Sequence, residues 1–382
     1  MKEQRILLTG GGSGGHVTPV VALSKELLRR GYGHVNYIGS RSDDVAKDSF
    51  AAISEVRSSF TFGGKFRRFS SVSGWRLFKL WRHYLWNIRD IFLVCVGILQ
   101  SLYIMLRSRP DIVFSKGGFP ALPVCVAARI LRIRLITHDS DAVSGLSHRL
   151  MGAYPHIRLF GVPLSQGQPG NWHYVGVPLS KKFLDRPKPE RFKEFSKKDQ
   201  MIFVTGGGNG SRELNRAVID VANDVLGENP RAHIYVVAGD RYLEDAQQRA
   251  AAKVKREDQI TVVGFTTKMY DLLSQATVVV TRAGATILAE AAALSKPSVI
   301  VPNPLLPGSH QIHNAAAYKD SAAALLVTDR GNSIDRSELH SALTSVLSNK
   351  KVRDELSDNI HKFATSNSTS LVADYIEAGL KK

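Results

Sequence analysis

An apolar run, Ile6-Leu7-Leu8-Thr9, empties directly into Gly10-Gly11-Gly12-Ser13-Gly14-Gly15-His16, and a helix-patterned stretch from Pro19 to Arg30 follows. A strand that opens through glycines onto a helix start restricts the fold more than any other feature of the chain. Residues without side chains let backbone N–H groups approach an anion, and the helix start adds positive potential there. The device recurs where Ile202-Phe203-Val204-Thr205 leads into Gly206-Gly207-Gly208-Asn209-Gly210-Ser211 and a helix near Glu213–Leu226. Apolar strands alternate with amphipathic helices between and beyond these turns, so the sheets are expected to be parallel. The expected fold class is α/β, with two Rossmann-like parallel-sheet domains that would face each other across a cleft. Ligands in such sheets sit beyond the carboxyl ends of the strands.

Strands are expected at Ile6–Thr9, Val35–Ile38, Asp111–Phe114, Leu135–Thr137, Arg158–Phe160 and Tyr174–Val175 in the first half. The second half offers Met201–Thr205, Ile234–Ala238, Ile260–Val263, Thr277–Thr281, Ser298–Val301 and Ala323–Val327. Around 163–200 the pattern lapses into Pro, Gly, Lys and short polar runs, the expected linker region. The domains are set at 1–175 and 176–362, with a helical tail beyond.

The first glycine turn admits more than one ligand. A dinucleotide site would carry an acidic residue at the end of the second strand, to hold a ribose. Ser40 and Arg41 follow Tyr37-Ile38-Gly39 instead, which excludes a tidy NAD site but suits the extra phosphate of NADP. A glycine turn without any ligand is the bland alternative. His16 distinguishes the readings, because a dinucleotide fold wants a small residue there, whereas a catalytic site can use an imidazole beside a diphosphate.

Other constellations follow strands. Thr281-Arg282-Ala283-Gly284-Ala285-Thr286 opens a helix carrying Glu290, placed to reach ribose hydroxyls or simply to face solvent. Gln311 and Asn314, in the loop and helix after Pro302, are three residues apart and share a face. Their amides both donate and accept, as sugar hydroxyls require; helix capping is the plainer role. Ser115-Lys116-Gly117-Gly118 is a third glycine turn. His138-Asp139-Ser140-Asp141 invites a metal or a catalytic dyad, but its spacing fits neither a zincin nor an EF-hand loop, so no metal site is assigned.

The chain carries 51 Lys+Arg against 34 Asp+Glu, a formal net charge of +17, which favours polyanionic partners: nucleic acid, an anionic membrane or phosphorylated substrates. From Arg57 to Arg89 there are eight basic residues, nine aromatics and no acid. Trp75, Lys79, Trp81, Arg82 and Trp86 in that segment describe a helix lying in an anionic membrane interface. An ordinary amphipathic helix packed on its domain and a nucleic-acid patch are the alternatives. Ile91 to Leu106 is uncharged but shorter than the roughly 20 residues a span needs, and reads as a buried or interfacial helix. Cys95 and Cys125 lie in apolar runs and read as buried, reduced thiols, with the cytosol as compartment. No signal peptide is visible, since the N-terminus enters a strand at once.

Taken together, these motifs resemble the bacterial MurG family, UDP-N-acetylglucosamine:lipid I N-acetylglucosaminyltransferases of peptidoglycan synthesis with the GT-B fold. The residues that carry the resemblance are Gly11 through His16, Lys116-Gly117-Gly118-Phe119, the His138 loop through Gly145 and Arg149, Gly176-x-Pro178, and Gly206-Gly207 through Asn215. They continue with Gly264-Phe265 through Met269, Arg282-Ala283-Gly284-Ala285 with Glu290, and His310-Gln311 with Asn314. The resemblance implies an inverting transfer from UDP-N-acetylglucosamine to the muramyl 4-hydroxyl of undecaprenyl-linked lipid I. It implies no obligatory cofactor, no nucleic-acid partner, and a peripheral place on the cytoplasmic face of the cell membrane.

By the same resemblance Phe265 lies by the uracil, Glu290 on the ribose, and Ala285, Thr286 and Ile287 at the phosphates. Gly208 and Asn209 join the donor site, His310, Gln311 and Asn314 contact the sugar, and Ser13, Gly14 and Gly15 face the diphosphate and acceptor. His16 is the candidate general base, with Asp141 and His138 in reserve; Asp141 is also a substrate-binding candidate, standing where the family has an amide near the acetamido sugar. The last helix, about 363–382, is expected to pack back on the first domain. The chain departs from the family pattern at His138-Asp139-Ser140-Asp141, where the family has His-Glu-Gln-Asn, and at Ser144, Ser180 and Gly208-Asn209.

Overall fold

A computed structural model describes residues 2–12, 14–64, 81–162, 169–192, 199–208, 210–331, 333–365 and 367–381, without the side chains of 81–85 and 307. The chain divides into two compact units, Met1–Ser180 with Asn367–Lys382, and Lys181–Ser366.

The first unit runs β1 (Lys2–Thr9), α1 (Gly14–Arg29), β2 (Tyr32–Ser40), α2 (Asp44–Ala51), β3 (Arg57–Thr61), α3 (Trp81–Ser108) and β4 (Ile112–Ser115). It continues through α4 (Ala121–Ile130), β5 (Arg134–Asp139), α5 (Leu146–Arg149), β6 (Ile157–Phe160) and β7 (Trp172–Tyr174). The second unit holds α6 (Lys181–Asp185), β8 (Gln200–Thr205), α7 (Arg212–Glu228), β9 (Ala232–Val237), α8 (Leu243–Lys253), β10 (Ile260–Val263) and α9 (Met269–Gln275). Then come β11 (Ala276–Thr281), α10 (Ala285–Ala293), β12 (Ser298–Ile300), α11 (His310–Asp320), β13 (Leu325–Leu326), α12 (Arg336–Ser348) and α13 (Lys350–His361). α14 (Ser368–Lys381) returns to the first unit.

Both sheets are parallel throughout, ordered β3-β2-β1-β4-β5-β6-β7 and β10-β9-β8-β11-β12-β13. In each, the first strand of the unit lies beside the fourth, and chain direction across the sheet reverses between them. The crevice at the carboxyl ends of such a strand pair is where ligands bind. Ile6, Leu7 and Leu8 are buried because helices cover both sheet faces, which leaves the strand no polar side. α7 shows the helical counterpart: Leu214, Val218, Ala222 and Val225 form one buried stripe, and the Ser211 hydroxyl caps its start by accepting from Leu214 N.

Three features depart from the sequence reading. β3 was not anticipated, because Arg-Ser-Ser-Phe-Thr lacks apolar alternation; as an edge strand it pairs with β2 through the backbone ladder, helped by the Thr61 hydroxyl donating to Gly39 O. α1 begins at Gly14 rather than Pro19, so His16 stands in its first turn.

α3 turns its apolar side outward. Asp90, Val94, Gly97, Ser101 and Met105 form its buried stripe, whereas Ile88, Ile91, Phe92, Leu99, Tyr103 and Leu106 are exposed. Gly97 sits against the Phe62 carbonyl with no room for a Cβ, and Gln100 Oε1 accepts from Phe62 N at 2.9 Å. Cys95 lies on the outward side and is exposed, contrary to the expectation for both cysteines; Cys125 is buried.

α14 completes the first unit's core. Val372, Ala373 and Ile376 pack with Ile6 and Leu8, and Arg30 reaches Asp374 at 2.6 Å and Glu377 at 3.1 Å.

Candidate active site

Two glycine-bearing turns converge at the carboxyl ends of β1 and β4. Gly11 N donates to Gly117 O at 3.3 Å, which ties the first turn to the third. Gly118, at φ 84°, has no room for a Cβ against the Gly11 carbonyl. Gly10 lies against Lys116, whose Cβ a side chain at position 10 would meet at 2.7 Å. Asp43, the N-cap of α2, accepts from Gly12 N at 2.5 Å. That carboxylate, three residues past β2, grips the turn itself.

The turn is backed by charge. Lys116 is buried, its ammonium 3.4 Å from the His138 carbonyl. Burial pushes its pKa down to about 8, while Asp139 and Asp141 pull the other way. His16 Nδ1 lies 3.3 Å from the Lys116 carbonyl. Burial first, and the Lys116 charge second, lower His16 to about 4, with Asp141 opposing. An imidazole so placed is neutral at pH 7. A carbonyl can only accept, so Nδ1 carries the hydrogen and Nε2 keeps a free lone pair.

Two reserve assignments fare differently. His138 is fully buried, its Nε2 bound to Gly176 O at 2.8 Å, and burial lowers it to about 3. It cannot meet a substrate, which corrects its place as a reserve base. Asp141 is half-buried and acts on His16 through its charge.

The second unit repeats the geometry with other chemistry. Gly206 packs on Ser211, and Gly207, at φ 84°, faces open space beside the exposed Gly208. Arg282, buried after β11, donates from Nε to the Ser211 hydroxyl at 3.0 Å and pairs with Asp329 at 2.6 Å. This joins the two turns at the ends of β8 and β11. Ala285, Thr286 and Ile287 form the first turn of α10, whose free N–H groups point away from the helix; the Ile287 side chain itself is buried. Glu290 follows on α10, and burial raises its carboxyl to about 8.

Phe265, between β10 and α9, is 63% exposed, as a platform for a flat ring would be. In the loop entering α11, Gln311 Oε1 accepts from Asn303 N at 2.9 Å, which leaves its amide hydrogens available. His310 is half-buried. Asn314 is 0% exposed, and its amide donates to Ala283 O at 3.0 Å. It braces the Arg282 turn instead of lining a sugar site, a second correction. Ser13, Asn209, Trp75 and Lys79 lie outside the described residues, as do the side chains of Trp81 and Arg82. Trp86 is exposed, with the Arg89 guanidinium 4.3 Å over its ring.

Sequence reasoning missed the grip of Asp43 on Gly12 and the pair Arg282–Asp329. Asp43 had a local signal, an Asp-Asp pair opening a helix.

Paired Rossmann-like units with glycine turns at both strand-order reversals form a two-domain scaffold of the kind that binds nucleotide ligands at the carboxyl ends of its strands. Residues 6–157 match the glycosyltransferase family 28 N-terminal domain and 201–372 its C-terminal domain. An Acinetobacter baumannii MurG crystal structure superposes with a TM-score of 0.69, at 20% identity over 98% of this chain and 99% of that one. A Staphylococcus aureus MnaA–UDP structure gives 0.71 at 10% identity, over 99% and 97%. Among curated proteins, a UDP-N-acetylglucosamine–N-acetylmuramyl-(pentapeptide) pyrophosphoryl-undecaprenol N-acetylglucosamine transferase of Clostridium kluyveri is 30% identical over 85% of this chain and 87% of its own. One from Clostridium botulinum is 31% identical over 85% and 86%. The chain belongs to this MurG family of glycosyltransferases.

Proposed function

We propose that the protein moves N-acetylglucosamine from UDP-N-acetylglucosamine to the muramyl 4-hydroxyl of lipid I, inverting the anomeric centre to give lipid II. The observation that carries this reading is the neutral His16 imidazole, held in the first turn of α1 beside a glycine turn. Direct displacement needs the attacking hydroxyl deprotonated as it reacts, and a positioned base contributes about 10²–10⁴-fold. His16 Nε2 takes that proton.

The second unit takes the sugar nucleotide: Phe265 at the uracil, Glu290 at the ribose hydroxyls, the start of α10 at the diphosphate. Its N–H groups stabilise the departing UDP without an obligatory metal. Gly14 and Gly15 at the start of α1 serve the acceptor diphosphate, and Gln311 and His310 the transferred sugar.

The acceptor is lipid-linked, and α3 supplies the surface that meets its membrane. Trp86–Ser108 is long and apolar enough to cross a bilayer, but one face is committed to the domain through Val94, Gly97 and Met105. Lying in the interface, it would bury Ile91, Phe92, Leu99 and Leu106 among lipid while Arg89 and Arg107 meet anionic headgroups. The enzyme is thus peripheral, on the cytoplasmic face, where a soluble nucleotide sugar and a lipid-linked acceptor meet.

The test is transfer of radiolabelled N-acetylglucosamine from UDP to a lipid I analogue in anionic vesicles. Labelled disaccharide lipid is expected. Binding of UDP-N-acetylglucosamine without transfer would point to a different acceptor, the direction in which the Ser140, Asp141 and Ser180 departures would act.

A further inference from the structure

The first unit contains a buried chain of side chains in the order of a serine hydrolase relay. Asp139 Oδ1 lies 3.0 Å from His148 Nδ1, and His148 Nε2 lies 2.9 Å from Ser115 Oγ. Ser115 and His148 are both 0% exposed, so no substrate reaches the hydroxyl and a nucleophilic role fails. What the chain does touch is the backbone of the third glycine turn. Gly117 N donates to Ser115 Oγ at 3.3 Å, and the His148 ring lies under Gly117, 3.1 Å from where a Cβ would stand. That turn holds the catalytic cradle from two sides: the Lys116 carbonyl faces His16 Nδ1, and the Gly117 carbonyl accepts from Gly11 N.

We infer that Ser115, His148 and Asp139 form a positioning clamp for His16. The clamp fixes the Lys116–Gly117 turn, so that the Lys116 carbonyl holds the imidazole as the Nδ1–H tautomer and Nε2 remains the proton acceptor. Its catalytic consequence rests on the reading of His16 as the base. The direction of each bond supports the assignment. A carboxylate only accepts, so His148 Nδ1 carries hydrogen, and Asp139 is oriented by further donors from Gly145 N at 3.1 Å and Ser144 Oγ at 2.9 Å. Although burial opposes it, His148 together with those donors holds Asp139 well below the usual carboxylate range, as a fixed anchor requires. The groups facing His16 are the Lys116 ammonium from the β4–α4 turn, Asp141 beyond β5 and His148 from α5. The three clamp residues come from β4, β5 and α5, so the clamp forms only when those three elements are packed together.

Nitrogen-15 histidine NMR on the full chain tests the clamp directly. The parent protein is expected to show His16 with hydrogen on Nδ1 and none on Nε2. In His148→Ala the two tautomers mix, and kcat falls about 10²-fold, the scale of a misplacement near 1 Å, with little change in the donor KM. His148→Asn, whose amide still donates to Asp139, restores the tautomer and most of kcat. Ser115→Ala, the loss of one hydroxyl, gives a smaller change of the same kind and stands in should His148→Ala fail to fold.

An unchanged His16 tautomer in His148→Ala overturns the inference, as does a loss borne by the donor KM. In the double variant His16→Ala/His148→Ala the second change costs nothing further if it acts through His16; additive losses reject it. A fully active His16→Ala variant rejects the base assignment alone, because the tautomer measurement still judges the clamp.

Discussion

The two units share one strand order and one device, a glycine turn where that order reverses, yet they back the device with opposite chemistry. Behind the first unit's turns lie Lys116, His16, Asp139 and His148, groups that hold, orient or accept protons. Behind the second unit's lies the closed pair Arg282–Asp329, with Glu290 one helical turn away. A common scaffold thus makes one crevice suited to proton transfer and another suited to an anion and hydroxyls. The backbone supplies the anion-binding geometry in both. The side chain under the turn decides what else happens there.

The sharpest break of this comparison is His16→Ala. A fall in kcat of about 10²–10⁴-fold is expected, with UDP affinity unchanged because that site belongs to the other unit. Steady-state rates with a lipid I analogue, beside calorimetric UDP binding, measure both. A variant that loses UDP binding and keeps its rate would reverse the roles assigned to the units.

Next in size is the buried ion pair. Arg282→Leu leaves the Asp329 carboxylate buried and unpaired, which costs about 3–5 kcal/mol. The double variant Arg282→Leu/Asp329→Leu should recover most of it, as read by urea unfolding. Failure to recover would mean that the Arg282 bonds to Ser211 and Val301, not charge pairing, carry the second unit's turns.

The two units also respond oppositely to pH. His16 is lowered from 6.5 to about 4, so its share of stability is full above pH 6.5 and is lost as pH falls toward 4. Glu290 is raised from 4.5 to about 8, so its share is present below pH 4.5 and is lost as pH rises toward 8. Glu290→Gln should therefore melt higher than the parent by a margin that grows between those values. Glu290→Leu should weaken donor binding about fivefold, the worth of a hydrogen bond to a neutral carboxyl group. A constant margin across pH would place the Glu290 carboxyl in water.

Both sheets and both glycine turns were legible in the sequence, because an apolar run ending in glycines is a local signal. β3 was not, since an edge strand of mostly polar residues needs only a neighbour's backbone. The burial of His138 and Asn314 was not legible either: their neighbours, Gly176 and Ala283, lie 38 and 31 residues away. The outward apolar side of α3 was read as interfacial from its Trp and Arg content, but which stripe packs inward depended on the approach of Gly97 to Phe62. The clamp around His148 needed three separate elements and left no local mark. Position 148 read only as a histidine after Gly145-Leu146-Ser147.

The smallest expected effect is also the cleanest contrast between the units. Gly118 and Gly207 occupy the same left-handed region at φ 84°, but only Gly118 has a carbonyl, that of Gly11, where a Cβ would go. Nothing lies within 4 Å of the corresponding site at Gly207. Gly207→Ala should then cost only the strain of a left-handed residue, about 1–2 kcal/mol. Gly118→Ala carries that strain plus a backbone collision, so it should cost more stability and push the Gly11 turn away from the Lys116–Gly117 segment that holds His16. Urea unfolding and kcat, measured on both variants, separate strain from collision. Equal losses, with kcat intact in Gly118→Ala, would mean that the glycines serve conformation alone and that the close approach of the two first-unit turns has no part in catalysis.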